Sequence, residues 1–585
     1  MTDISEFAAV IGVAPNRIDV EIHADEGYQA LDRRLEVGSY LKIYDDEGAA
    51  VITIVQSYRI KDRTPNSADE EPDTPTFVLE TQPVGRLEDG KFRRGGKQIT
   101  IPPTHVEIAS SELLAKVYAN VDKAQRFSFG VLAQDESVRV VVNGDKFFGK
   151  HIGVVGSTGS GKSCTVARIL QASIAPNEGQ TKCKILNNSH VIIFDLHGEY
   201  KAAFPAARVI GVDDLKLPYW LMNAEELEAM FIESNEEHSH NQVSQFRQAV
   251  VENKQRYSGS EQTISYDSPV YFSLDEVYNY LANLNAEMIG KAPNEGVPKL
   301  ADGTLVHKRA THYFELEHEF ALFSQAVSTK ATSGPFNGEF ARFLMRLDGR
   351  RTDTRLAFLL APRKDDDTEY KTEDLAVLLE RLIGYGDDKT NVTIVDLSGI
   401  PFEVLSVVVS LMTRLIFTFS FHLRRNMKTD DRDLPFLLVY EKAHNYVPRH
   451  EGAKYHSVKR AIERIAKEGR KYGISLMIVS QRPAEISETV FSQCNNFVAM
   501  RLTNPADQQY VRRLLPDDLA AITGALPSLE RREAIVIGDS ISVPSLVRVD
   551  EIIDTPDSHD IPFHTEWQKD WYDVAMKAAL ERWQR

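Results

Sequence analysis

The stretch Gly156-Ser-Thr-Gly-Ser-Gly-Lys-Ser163 constrains this chain more than any other. It lies between His151-Ile-Gly-Val-Val155, an apolar run of strand length, and Cys164-Thr-Val-Ala-Arg-Ile-Leu170, which opens a helix. Strand, glycine-rich turn and helix in that order begin a β–α–β unit, and such units build parallel sheets covered by helices. The small residues let successive backbone N–H groups converge on an anion at the helix N-terminus. The pattern is that of a loop cradling a nucleoside triphosphate, with Lys162 on the outer phosphates and Ser163 on Mg2+. Ser157, Thr158, Gly159, Ser160, Gly161, Lys162, Ser163 and Cys164 are therefore the candidate nucleotide-binding residues. The bland alternative, a glycine-rich surface turn, is disfavoured by the strand before the loop and the helix after it.

At 585 residues the chain exceeds what one core organises, and two to four domains are expected. A net charge of −17 argues against a surface that coats nucleic acid everywhere, though not against a basic channel inside an acidic shell. Cys164, Cys183 and Cys494 have no metal-ligand spacing and read as reduced thiols of a cytoplasmic protein. The N-terminus lacks the basic and apolar regions of a signal peptide. Val404 to Leu423 is strongly apolar but carries Arg414 near its middle, so it reads as a buried helix and not as a membrane span.

Residues 1–108 alternate apolar and polar side chains in Arg17–Ile22, Tyr40–Tyr44, Ala50–Val55, Thr76–Glu80 and Gln98–Ile101, which predicts a small β-barrel. The Pro- and acid-rich stretch Arg63–Thr76 reads as a long exposed loop. Residues 109–212 read as the first part of an α/β core, 213–388 as a helical insertion that includes Asn223–Arg256 and Tyr313–Val327, and 389–550 as the second part of the core. The core strands are expected at Val191–Phe194, Val392–Val395, Phe436–Tyr440, Ser475–Val479 and Phe497–Arg501. Residues 551–585 form a tail that holds Trp567, Trp571 and Trp583, an aromatic stripe suited to docking on the chain's own body or on a neighbouring subunit.

Hydrolysis needs more than a cradle: a carboxylate beside the metal, a group that positions water, and positive charge for the leaving phosphate. Glu441, at the end of Phe436–Tyr440, is the best carboxylate and the candidate metal partner of Ser163. Asp195, ending Val191–Phe194, is a second, or else it caps the turn after it. Gln481, after Ser475–Ser480, could sense the γ-phosphate or orient water, and Arg482 stands beside it. Arg460, Arg464, Lys467 and Lys471 recur at helical spacing and read mainly as a solvated face, whereas Arg470 in the Gly469–Gly473 turn suits an arginine finger. Arg342, Arg346, Arg350, Arg351 and Arg355 could face a DNA-filled pore, or equally form a surface salt-bridge face.

Together these motifs resemble the HerA family of hexameric ATPases, within the wider HerA–FtsK group of DNA-pumping motors. The matching pieces are the Gly156–Ser163 loop, Ile193-Phe-Asp-Leu-His-Gly-Glu-Tyr200, Glu441-Lys-Ala-His-Asn-Tyr-Val-Pro448, Glu468-Gly-Arg-Lys-Tyr-Gly473 and Ser480-Gln-Arg-Pro483. The resemblance implies a RecA-like P-loop NTPase core, an N-terminal HAS-barrel that docks partner proteins, six subunits with ATP and Mg2+ at each boundary, and double-stranded DNA through the middle. It also implies that Arg470 and Lys150 act at the subunit boundary. Relatives usually carry two acidic residues where this chain has Glu441-Lys442, and the second polarises water. Three readings of Lys442 follow: Glu441 is the base with Asp195 helping the metal, turnover is slow, or the lysine is an introduced change that traps bound nucleotide. The implied function is a DNA translocase serving a separate effector, a nuclease or a sirtuin-like NAD-consuming subunit, in anti-phage defence. The alternatives are an ATP-binding ring scaffold and a secretion or conjugation coupling ATPase.

Overall fold

The computed structural model describes residues 2–23, 35–44, 50–60, 76–88, 91–95, 105–177, 180–184, 186–232, 239–259, 263–291, 294–324, 331–386, 388–428, 432–450, 456–514, 523–558 and 561–583. The expected strand at Gln98–Ile101 and most of the expected loop at Arg63–Thr76 fall outside these residues.

The N-terminal region is an antiparallel sheet in the order Thr2–Asp3, His105–Ile108, Tyr40–Tyr44, Ala50–Ile60, Thr76–Glu88, Arg17–His23, Ala8–Ala14, with Lys91–Arg94 paired to Thr76–Glu88. Period-two patterning sets its inner face: Ile18, Val20 and Ile22 are buried while Arg17, Asp19 and Glu21 between them are half-buried. The inner side chains gather into a core of their own with Leu41, Ile43, Val51, Val55, Leu79 and Val106.

The central body is an 11-stranded sheet. Its strands are β1 (Arg126–Leu132), β2 (Asp135–Asn143), β3 (His151–Val155), β4 (His190–Asp195), β5 (Arg208–Ile210), β6 (Val392–Asp396), β7 (Phe436–Tyr440), β8 (Ile474–Ser480), β9 (Cys494–Ala499), β10 (Glu533–Gly538) and β11 (Ser545–Val549). The spatial order is β2-β1-β11-β10-β9-β3-β8-β7-β4-β6-β5. From β9 to β5 every pairing is parallel. From β9 to β2 every pairing is antiparallel, so an antiparallel flap extends one edge of the expected parallel sheet. Side chains on both faces of the parallel part are buried, which is why these strands read as continuous apolar runs.

Helix α1 (Lys162–Ile174) follows β3, and between β5 and β6 the main regular elements among the described residues are helices, including α2 (Ala224–Phe231), beside one short pair of strands, Met288–Gly290 and Ala331–Ser333. The expected helix at Tyr313–Val327 does not form among its described residues: a short helix ends at His312, and turns and extended chain follow. Asn283 explains the difference, since its side-chain amide donates to the carbonyls of Tyr313 and Leu316 and tertiary contact replaces the helical bonds. Helix α3 (Phe402–Asn426) is long and apolar enough to cross a membrane, but 78% of its most apolar window is buried inside this molecule, as a core helix would be. Helix α4 (His456–Glu468) packs on it.

After β11 the chain straps across α1. The Ile553 N–H donates to Gln171 Oε1, Gln171 Nε2 donates to the Asp554 carbonyl, and the Asp557 N–H donates to the Glu199 carbonyl. Beyond the strap the tail leaves the body. Trp567 is 79% exposed and Trp583 84%, so the tail does not dock on its own chain.

Candidate active site

The sheet order explains why residues far apart in sequence meet. β3, β8, β7 and β4 are consecutive and parallel, so their C-terminal ends bring Gly156, Gln481, Glu441 and Asp195 to one edge. The Gly156 N–H donates to the Ser480 carbonyl at 3.3 Å, and the Glu441 N–H to the Phe194 carbonyl at 3.3 Å.

The loop after β3 turns through Gly159 and Gly161, both in left-handed conformations that L side chains rarely adopt. At Gly156 a Cβ would stand 2.6 Å from Ser160 Oγ, so the close turn needs glycine. The Ser157 N–H donates to the Arg501 carbonyl at 2.7 Å, and Ser157 Oγ meets Thr503 Oγ1 at 3.1 Å. Thr158 Oγ1 donates to Gln481 Oε1 at 3.1 Å, which ties the loop to β8. Cys164 is half-buried in the first turn of α1.

Two observations show that the loop fits phosphate. The Ser160 hydroxyl is buried without a hydrogen-bond partner, and the buried Lys162 ammonium donates to the loop's own Ser157 carbonyl at 2.9 Å. A phosphate oxygen would satisfy the first and be a stronger partner for the second. Burial lowers the Lys162 pKa and raises that of Glu441, which is 1% exposed; the attraction between them opposes both shifts. Tyr200 Oη donates to Glu441 Oε2 at 2.8 Å and supports the ionised carboxylate.

Of the two roles open to Asp195, the geometry shows the cap. Its Oδ1 accepts the N–H groups of His197 and Gly198, and its Oδ2 accepts that of Tyr200 at 2.8 Å. It caps the turn after β4, and the carboxylate bonded by Ser163 is another one. That carboxylate belongs to Glu199, which the turn positions. Ser163 Oγ donates to Glu199 Oε2 at 3.0 Å, and Lys442 Nζ lies 3.5 Å from Glu199 Oε1. Glu199 drew no separate role from the sequence because its placement depends on the Asp195 cap and on the left-handed Gly198. Arg531 was also missed: a Cβ on Gly161 would stand 3.6 Å from its Cγ. Ser163 with Glu441 or Glu199 suits a divalent cation that takes its remaining ligands from phosphate and water. Among the described residues no cluster of three or more His, Cys, Asp or Glu side chains forms a site that could hold a metal ion by itself.

Arg470 and Lys150 lie at the opposite edge, before β8 and β3 begin. Lys150 pairs with Asp539, Arg470 Nη1 donates to Asn495 Oδ1 at 3.3 Å, and the Asp539 N–H donates to the Asn495 carbonyl. The length of β3, five residues or ~16 Å, separates them from Lys162 of the same chain. Arg460 pairs with Glu225 and Arg464 lies over the Phe417 ring, both side chains staying largely exposed. Arg482 pairs with Glu485. In the insertion, Arg346 donates to the Phe231 carbonyl, Arg351 pairs with Asp275 and Asp348, and Arg355 pairs with Asp353, while Arg342 is exposed.

Residues 127–416 match the family model of the helicase HerA central domain. A probable helicase of Methanocaldococcus jannaschii is 23% identical over 557 residues, covering 92% of this chain and 90% of that protein. The DNA double-strand break repair helicase HerA of Sulfolobus acidocaldarius is 25% identical over 516 residues, covering 85% and 82%. Its namesake from Saccharolobus solfataricus is 32% identical over 181 residues, 30% of this chain and 35% of that protein. Among solved structures, VirB4 of Thermoanaerobacter pseudethanolicus aligns with a TM-score of 0.44 at 13% identity, over 76% of this chain and 99% of that one.

Proposed function

The chain belongs to the HerA-type ATPases, and from that premise we propose that it works as a homohexameric motor that hydrolyses ATP at subunit boundaries and moves double-stranded DNA through a central channel. One observation carries the reading: the two halves of the catalytic set sit at opposite edges of the sheet. Lys162, Ser163, Glu441 and Gln481 stand at one edge, Arg470 and Lys150 at the other. A neighbouring copy can bring the second edge to the first, as a ring does at every boundary.

In this reading Lys162 leaves the Ser157 carbonyl for the outer phosphates, and the N–H groups of the loop bind the inner ones. Ser163 would hold Mg2+ with Glu441 standing beside it, and the ion would offset charge on the phosphate oxygens. Gln481, already tied to the loop through Thr158, orients water at the γ-phosphate. Glu441 is buried with a raised pKa and hydrogen-bonded by Tyr200, and it is the base. Arg470 and Lys150 of the neighbour stabilise the leaving charge. The unpartnered aromatic tail supports assembly, since its surface is suited to burial on a second copy. Arg342 and its neighbours in the insertion are the candidate DNA contacts, with the N-terminal sheet as the dock for a separate nuclease or NAD-consuming effector in anti-phage defence.

Mixing variants tests the boundary. Lys162→Ala and Arg470→Ala should each lose roughly 100-fold or more of ATP turnover, and a 1:1 mixture should regain a measurable fraction, because some boundaries pair an intact loop with an intact arginine. No regain on mixing would place Arg470 outside the reaction. Lys442, which stands where relatives carry the second acid, favours one other reading: a ring that binds ATP and scaffolds the effector with little turnover. DNA-stimulated hydrolysis by the isolated protein excludes it.

A further inference from the structure

The metal side of the site contains a contact that the proposed function does not use. Ser163 donates its only hydroxyl hydrogen to Glu199 Oε2 at 3.0 Å. With the hydrogen fixed there, the oxygen lone pairs of Ser163 point away from Glu199, the orientation a cation ligand needs. The other Glu199 oxygen faces Lys442 Nζ at 3.5 Å. Both side chains of that pair are mostly shielded, with 19% of Lys442 and 15% of Glu199 exposed, so the attraction is screened less than at an open surface.

The backbone on both sides is arranged to make this contact. Asp195 gathers three N–H groups into the turn that carries Glu199, and Gly198 passes through it in a left-handed conformation beside the Asp396 carboxylate. Lys442 is one of the few non-glycine residues described with a left-handed backbone, φ 52°, a conformation that persists where surrounding structure holds it. Two unrelated turns, one after β4 and one after β7, thus deliver opposite charges to the same place beside Ser163.

We propose that Glu199 is the positioning residue for Ser163 and that Lys442 holds Glu199 in place, so a Ser163–Glu199–Lys442 relay organises the metal side of this site. The inference deepens the nucleotide-site reading above and rests on it. It also gives Lys442 a constructive role: the lysine steers a carboxylate that reaches the site from the neighbouring strand.

The test reads metal binding directly. Mn2+ serves as the paramagnetic probe, and its affinity is measured by electron paramagnetic resonance on the full-length protein with a non-hydrolysable ATP analogue. A fluorescent ATP analogue in EDTA reports metal-free nucleotide binding in parallel. Glu199→Gln should weaken Mn2+ about ten-fold and leave metal-free nucleotide binding within about two-fold. Lys442→Met, which keeps the length of the side chain and removes its charge, should weaken Mn2+ about three-fold or more, and the double variant should be no weaker than Glu199→Gln alone. Unchanged Mn2+ affinity in Glu199→Gln would overturn the proposal, as would a double variant whose loss is the product of the two single losses. Should Glu199→Gln fail to fold, Lys442→Met with unchanged Mn2+ affinity overturns it alone. Metal-free binding that survives Lys162→Ala would instead bring down the nucleotide site itself.

Discussion

At the scale of single residues, His151 shows how closely β3 is fitted to its neighbours. Its Nδ1 accepts the Leu476 N–H and its Nε2 donates to the Ala466 carbonyl, so the neutral ring is fully bonded. Burial lowers its pKa from 6.5 to about 4. A depressed histidine pKa means that the unfolded chain takes up the proton first as pH falls. The stabilisation is therefore complete above pH 6.5 and is lost between 6.5 and about 4, up to about 3 kcal/mol. Denaturant unfolding of the protein and of His151→Gln across that window should show the difference between them shrinking as pH falls, and a constant difference would contradict it. Residue-scale chemistry was legible in part. The position of Glu441 and Gln481 beside the Gly156–Ser163 loop was legible because a polar residue ending an apolar parallel strand stands at the edge where such sheets gather their loops. That of Glu199 was not, because its side chain reaches Ser163 only through a turn whose geometry is set by Asp195. Arg470 and Lys150 stand out by resemblance and by the reach of a turn, and the role proposed for them needs a second copy that one sequence does not display.

Among the elements, α3 answers why an apolar helix carries Arg414. Glu226 of α2 is fully buried, and Arg414 donates to its carboxylate at 2.8 Å while Ser410 donates at 2.9 Å. The same carboxylate accepts the Asn223 N–H in a capping box, so one buried acid closes the start of α2 and fastens it to α3. Arg414→Met leaves that charge uncompensated and should destabilise the protein by about 3 kcal/mol in denaturant unfolding, with much of the loss recovered when Glu226→Gln is added. Additive losses would argue against the pair. The central parallel strands β3, β4, β7 and β8 were legible because each is buried on both faces and reads as an apolar run, whereas β5, three residues at the sheet edge with two of them half-buried, carries no such signal. β1 and β2 were not, since the edge they complete is supplied by β11, more than 400 residues later in the chain. Tyr313–Val327 misled for a related reason, as its local sequence permits a helix and the Asn283 amide takes the carbonyls that a helix would use.

For the whole molecule, the tail is the feature hardest to reconcile with a solitary chain. Phe563, Trp567, Trp571, Tyr572, Met576 and Trp583 are all exposed, and apolar surface of that extent is normally covered. Removing residues 561–585 should leave the core folded, since the described tail buries almost nothing, and should shift the mass by light scattering from that of the proposed hexamer toward single subunits. An unchanged hexamer would assign assembly to other surfaces. The sequence reading left both the chain's own body and a neighbouring subunit open as the surface for this stripe, and in the structure the described residues of the tail are exposed and do not lie on the body.

The strap that precedes the tail gives this arrangement a mechanical meaning. Its Asp557 N–H is bonded to the Glu199 carbonyl, and Ile553 and Asp554 grip Gln171 on the helix that begins at Lys162. A force applied to the free arm, by whatever grasps it, arrives at the peptide carrying the carboxylate beside Ser163 and at the helix whose first turn forms the phosphate grip. The far end of the chain is thereby wired to its chemical centre.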